Sequence, residues 1–128
     1  MSSEELDYLS LDDLLDIAAG VLPAVEIRDL GLLAGAASRP RSSAFGAEAY
    51  LSFPEKVAAL LHSVARNHAL VDGNKRLAWS AARVFCLMNE RDLELDVDEA
   101  EAMVVGAAAG TLDVPALATI VGNALRSI

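Results

Sequence analysis

The run His68-Ala69-Leu70-Val71-Asp72-Gly73-Asn74-Lys75-Arg76 decides the fold, because it separates two apolar helical patterns by a turn that neither helix can absorb. Upstream, Ser52 and Glu55 stand at capping-box spacing and Pro54 falls in the first turn. Val57, Leu60, Leu61 and Val64 then form one apolar face that leads to Asn67 and His68. Downstream of the Asp72-Gly73 turn, residues 74 to 89 carry Leu77, Ala81, Val84 and Met88 on one side and Ala78, Ala82 and Phe85 on the next. So wide an apolar surface belongs to a helix enclosed by others.

Working outward, Ser10 and Asp13 cap a helix over residues 11 to 22 whose inner face is Leu11, Leu14, Leu15 and Ala18. Asp7 to Leu9 reads as a short extended lead-in. A second helical stretch, Arg28 to Ala37, stops before Arg39-Pro40, since proline disfavours helix in the residue before it. Arg41 to Gly46 reads as an exposed loop or small hairpin. Arg91 to Val97 alternates charged and apolar residues, as a short strand or extended connection does. Two helices close the chain: Val97 to Ala109, ended by Gly110, and Val114 to Ser127, with Leu117, Ile120, Val121, Ala124 and Leu125 inside. The expectation is an all-α, compact single domain over residues 1–128, with about six helices and a central helix after the motif loop.

Composition agrees. Hydrophobic residues make up 54% of 128, with only 5% aromatic, which favours closely packed helices over an aromatic-rich sandwich. The lone cysteine, Cys86, can build neither a disulfide framework nor a thiolate metal site within this chain. No cationic start precedes an apolar signal core, and no apolar stretch approaches about twenty residues, so a cytoplasmic protein without membrane contact is expected. The net charge of −9 opposes broad capture of nucleic acid. Residues 62 to 83 nevertheless hold four cations, Arg66, Lys75, Arg76 and Arg83, against the single Asp72, a local balance of +3 that suits one small polyanion.

The chemistry concentrates in the same run. Gly73 and the start of the following helix form an anion cradle of backbone N–H groups and helix dipole. Lys75 and Arg76 add side-chain charge, and Arg76, Ser80 and Arg83 recur on one helical stripe that lines a cavity or the surface. Asp72 has two readings, a Mg²⁺ ligand whose other positions go to phosphates and water, or an N-cap; Asn74 shares the second. His68 is either a general base or a residue packed on the buried face, four positions after Val64. Arg66, Arg39 and Arg41 read as solvated cations, with Arg66 close enough in sequence to join the site.

Taken together, His68, Leu70, Asp72, Gly73, Asn74, Lys75 and Arg76 resemble the Fic/Doc signature His-x-Phe-x-Asp/Glu-Gly/Ala-Asn-Gly/Lys-Arg. Leu70 replaces the usual Phe and is expected to anchor the loop in the core as Phe would. Adenylyl-transferring Fic enzymes usually have Gly where this chain has Lys75, and a second Arg where it has Trp79. Both departures match the Doc (death-on-curing) branch.

That resemblance implies a Fic fold with a flap hairpin and a toxin-antitoxin setting. It also implies transfer of the γ-phosphoryl group of ATP to a Thr or Ser hydroxyl of a translation protein, elongation factor Tu in Doc relatives, which arrests translation. His68 would be the catalytic base and Asp72 the Mg²⁺ ligand. Gly73, Asn74, Lys75 and Arg76 would bind the nucleotide phosphates, with Arg83 assisting. Arg41, Ser42, Ser43, Ala44 and Phe45 would form the flap that docks the target by strand addition. No Ser/Thr-x-x-x-Glu-Gly/Asn inhibitory helix is found, so restraint is expected from a Phd-like antitoxin acting in trans. The competing expectations are a Fic-type adenylyltransferase and a catalytically idle Fic-fold module that binds a partner.

Overall fold

The computed structural model describes residues 5–128. Among them six helices form: α1 (Leu11–Val21), α2 (Leu30–Ser38), α3 (Phe53–Arg66), α4 (Asn74–Met88), α5 (Val97–Ala109) and α6 (Val114–Ala124). Four short strands accompany them: β1 (Ser43–Ala44), β2 (Ala47–Glu48), β3 (Arg91–Leu93) and β4 (Leu125–Ser127). The all-α expectation holds, with the strands confined to two antiparallel pairs.

Helices α3 and α4 form the centre. α3 packs on α4, α5 and α6, and α4 also meets α1, α5 and β3. The small side chains Ala58, Ala65, Ala78, Ala81 and Ala82 are buried, which lets the backbones approach closely. Leu60, Leu61, Leu77, Phe85 and Leu117 fill the space between. The caps form as the sequence requires: Ser10 with Asp13, and Ser52 with Glu55, are both reciprocal capping boxes. Asp96 with Glu99 makes a third.

Two boundaries differ from expectation. α2 begins at Leu30 rather than Arg28, because Asp29 is its N-cap, accepting from Leu32 N at 3.0 Å, while Arg28 is drawn into backbone pairing with residue 69. α6 stops at Ala124, so Leu125 is not a helical residue: Leu125–Ser127 turn extended and pair with Arg91–Leu93 in the register Arg91↔Ser127. The lead-in Asp7 to Leu9 has neither helix nor strand pairing. It is held by Asn89, whose side chain exchanges two 2.9 Å hydrogen bonds with the backbone of Asp7.

Between α2 and α3, a 3₁₀ turn at Arg39–Arg41 leads into the β1–β2 hairpin. Phe45 and Gly46 at its tip both have positive φ, 53° and 79°, as a two-residue primed turn demands. The hairpin is rooted on Lys56 of α3, which is fully buried. Its Nζ donates to Glu48 Oε1 at 2.9 Å, to Pro40 O at 3.4 Å and to Tyr50 O. None of the helices among the described residues is long and apolar enough to cross a membrane.

Candidate functional site

Helix α3 ends at Arg66 with Asn67 as C-cap, and the next residue, His68, takes φ 53°. This left-handed step removes His68 from the buried face that helical continuation would have given it. The imidazole is exposed, whereas Ala69 and Leu70 turn into the core. Leu70 is 1% exposed and bridges Ile27, so it anchors the loop as expected.

The loop backbone is clamped by the segment before α2. Ala69 O accepts from Arg28 N and Asp29 N at 2.8 and 2.9 Å, and Val71 N donates to Glu26 O at 2.9 Å. Arg28 Nε donates to His68 O at 2.9 Å, which fixes the peptide beside the imidazole. Asn74 closes the loop from the other side: its Oδ1 accepts from Leu70 N at 3.0 Å and its Nδ2 donates to Leu70 O at 2.9 Å. Most of the hydrogen-bonding capacity of Asn74 is therefore committed to holding the loop.

Neither Asp72 nor Asn74 caps α4. The N-cap is Gly73, with φ 88° and no capping side chain, whereas α1, α2, α3, α5 and α6 are capped by Ser10, Asp29, Ser52, Asp96 and Asp113. The first-turn N–H groups of α4, which have no intrahelical acceptors, are thus left for an external anion. A Cβ at Gly73 would lie 2.6 Å from Leu22 Cδ2, so the turn fits closely against the end of α1.

His68, Asp72, Gly73, Asn74, Lys75 and Arg76 all line one cleft of about 600 Å³, closed on one side by Leu22 and Pro23 and on the other by Ala65 and Ala108. Arg76 Nη1 also reaches Val21 O at 3.4 Å. Asp72 Oδ1 accepts from Gly73 N at 2.9 Å, leaving Oδ2 for another partner. No group of three or more His, Cys, Asp or Glu side chains gathers among the described residues. One carboxylate beside a phosphate cradle nonetheless fits Mg²⁺, which takes most of its ligands from phosphate and water.

Other candidates lie elsewhere. Arg83 is paired with Asp92 at 3.2 Å and does not line this cleft. Its hydrogen bond holds the Asp92 carboxyl below the usual carboxylate range. Ser80 does not line it either; Trp79 takes that place on the stripe, in a second groove shared with Lys75, Arg76 and Arg83. Arg66 is exposed, as a solvated cation is, and also donates to Ala108 O at 2.9 Å, where α5 ends, which braces the cleft wall. Arg41, Ser42, Ser43, Ala44 and Phe45 do not line the cleft. Phe45 is fully exposed at the hairpin tip, and Arg41 lies over the Tyr8 ring at 5.5 Å.

Arg39 is no ordinary loop cation. Its guanidinium donates to Tyr50 OH at 2.9 Å and Ser63 Oγ at 2.8 Å, and lies 2.9 Å from His62 Nδ1. Burial, then the charges of Arg39 and Arg66, push the His62 pKa below 6.5, while Asp113 pulls it upward. The unfolded chain therefore binds the proton more readily, and stability is lost as pH falls through about 6.5 toward the folded value. The melting temperature is expected to drop between pH 7.5 and 5.5, and His62→Gln to flatten that slope; equal slopes in thermal scans would show that His62 does not control it.

Sequence reasoning missed Arg28, Lys56 and Arg39. Arg28 acts on a residue forty positions away, and nothing local to it signals that contact.

The Fic/DOC family model matches residues 8–86, more than half of the chain, and the chain belongs to that family. It is also 44% identical over 117 residues, covering 88% of both chains, to a protein of Mycolicibacterium smegmatis (strain ATCC 700084 / mc(2)155) named Toxin Doc.

Proposed function

We propose that this protein is the toxin of a toxin-antitoxin system and transfers the γ-phosphoryl group of ATP to a Ser or Thr hydroxyl of a translation protein, with elongation factor Tu the first candidate. One observation carries the reading: an exposed His68 shares a cleft with the uncapped start of α4 and with Lys75, where adenylyl-transferring relatives have Gly. A bulky cation there narrows the space that an α-phosphate would need and still attracts a terminal phosphate.

In this mechanism the first-turn N–H groups of α4, Lys75 and Arg76 hold the phosphates and neutralise their charge. His68 accepts the proton of the target hydroxyl as its oxygen attacks the γ-phosphorus. The bond from that phosphorus to the β,γ-bridging oxygen breaks, and ADP leaves. Asp72 would hold Mg²⁺, which when bound offsets the negative charge of the phosphate chain. Arg28 and Asn74 act indirectly, keeping the loop in register so that base and cradle stay adjacent. Arg83 serves in this scheme only if released from Asp92. The hairpin at Arg41 to Phe45, with Phe45 at its tip, would dock the target segment. A separately encoded, Phd-like antitoxin would restrain the toxin by folding a disordered segment onto it.

Incubation with elongation factor Tu and ATP labelled at the γ- or the α-phosphate tests the reading. Label is expected in the factor from γ-labelled ATP alone. Retention from α-labelled ATP would replace it by adenylyl transfer, and no transfer to any protein of a translation extract would leave an idle binding module.

A further inference from the structure

We propose that the groove between α4 and α5 receives the nucleoside end of the substrate nucleotide, with Trp79 as the surface on which the base stacks. The inference rests on the phosphotransfer reading above and adds the surface that takes the nucleoside. The groove encloses about 580 Å³, within the range of small-molecule pockets. Its floor is apolar: the Trp79 indole on one side faces Ala100, Val104 and Val105 of α5 on the other.

Continuity identifies the occupant. Lys75 and Arg76 line both this groove and the motif cleft, so a single ligand can run from one to the other past two cations. Trp79 lies five residues beyond Asn74, about 7 to 8 Å along the axis at roughly 1.5 Å per residue. A triphosphate chain spans a similar length. A phosphate held at the helix start therefore brings the far end of the same molecule to the indole. Base stacking on an aromatic side chain tolerates any base, since every base presents a π-face.

The polar rim is also suited to a nucleoside. Asp96 and Glu101 line the α5 side. Asp96 Oδ1 caps α5 by accepting from Glu99 N at 2.8 Å, which leaves its second oxygen for a ribose hydroxyl or an exocyclic amine. Arg83 lines the far end, where its pairing with Asp92 offsets its charge. The cationic end of the groove thus adjoins the motif and the acidic rim lies away from it, as a phosphate-to-sugar direction requires. The opposite direction would place the base against Leu22 and Pro23.

Trp79 is the single tryptophan, so all indole emission comes from a side chain that lines this groove. Titration of the full chain with Mg²⁺-ADP is expected to change Trp79 fluorescence saturably. Inorganic tripolyphosphate should displace ADP and restore the emission of the free protein. Val105 is 46% exposed, so Val105→Glu can be made without disturbing the core. This variant is expected to weaken ADP binding about tenfold, because it sets a carboxylate in the apolar wall opposite the stacked base, and to change tripolyphosphate binding less than about twofold.

If ADP and tripolyphosphate compete but the emission stays constant and Val105→Glu binds ADP normally, the nucleoside lies elsewhere and the groove is left to a protein segment. That result overturns this proposal while the phosphotransfer reading stands. Binding of neither probe by equilibrium dialysis would overturn both.

Discussion

His68→Ala is expected to lower phosphoryl transfer by about a hundred- to ten-thousand-fold, the usual contribution of a positioned general base, with little change in ADP affinity or melting temperature. The structural grounds are specific. The imidazole is exposed and makes no hydrogen bond among the described residues, whereas the His68 carbonyl is held by Arg28 and survives the substitution. The left-handed φ of 53° is tolerated better by His than by Ala, so the substitution does not relieve backbone strain. Loss of transfer should thus appear in the rate constant of single-turnover assays with γ-labelled ATP, at unchanged nucleotide affinity. Wild-type rates in the variant would remove His68 from the chemistry. A comparable loss of melting temperature would instead assign it a structural part.

The second large effect concerns stability. Lys56→Ala is expected to cost about 2–4 kcal/mol in urea unfolding, since a buried ammonium that satisfies several acceptors is removed together with the packing of its stem. Most of this loss should come from the carbonyls of Pro40 and Tyr50. Glu48 is 38% exposed and can rehydrate, which limits the value of the ion pair itself. Lys56→Met, which restores the volume but not the donors, should recover only part of the loss. Amide exchange in residues 43 to 48 should quicken in both variants, because Lys56 ties the hairpin and its flanks at Glu48, Pro40 and Tyr50 to α3. Unchanged exchange there would mean that Lys56 does not hold the flap.

The contrast between these residues shows what a sequence makes legible. The ends of α1 and α3 were readable because a capping box is a contact between residues three apart. The central position of α4 was readable because its apolar width is a property of the helix alone. His68 was ambiguous because periodicity continues past Arg66, and only one left-handed residue, unmarked by glycine, decides which way it points. Asp72 and Asn74 looked like caps by composition, yet the loop's return to Leu70 takes up Asn74, and Gly73 becomes the N-cap. Lys56 sits among apolar neighbours on α3 with no local sign that the chain on either side of the hairpin would fold over it. The β3–β4 pair joins residues more than thirty positions apart, and α6 ends early because that pairing competes with its last turn.

The clamp on the motif loop has a kinetic consequence. Backbone pairing with residues 26 to 29 and the side-chain bridge from Asn74 to Leu70 hold the loop in one shape before any ligand arrives. A site whose competent form is already the dominant one imposes no population penalty, so its apparent affinity equals its intrinsic affinity. Nucleotide capture should then follow a single concentration-dependent phase, governed by encounter rather than by a prior opening of the loop.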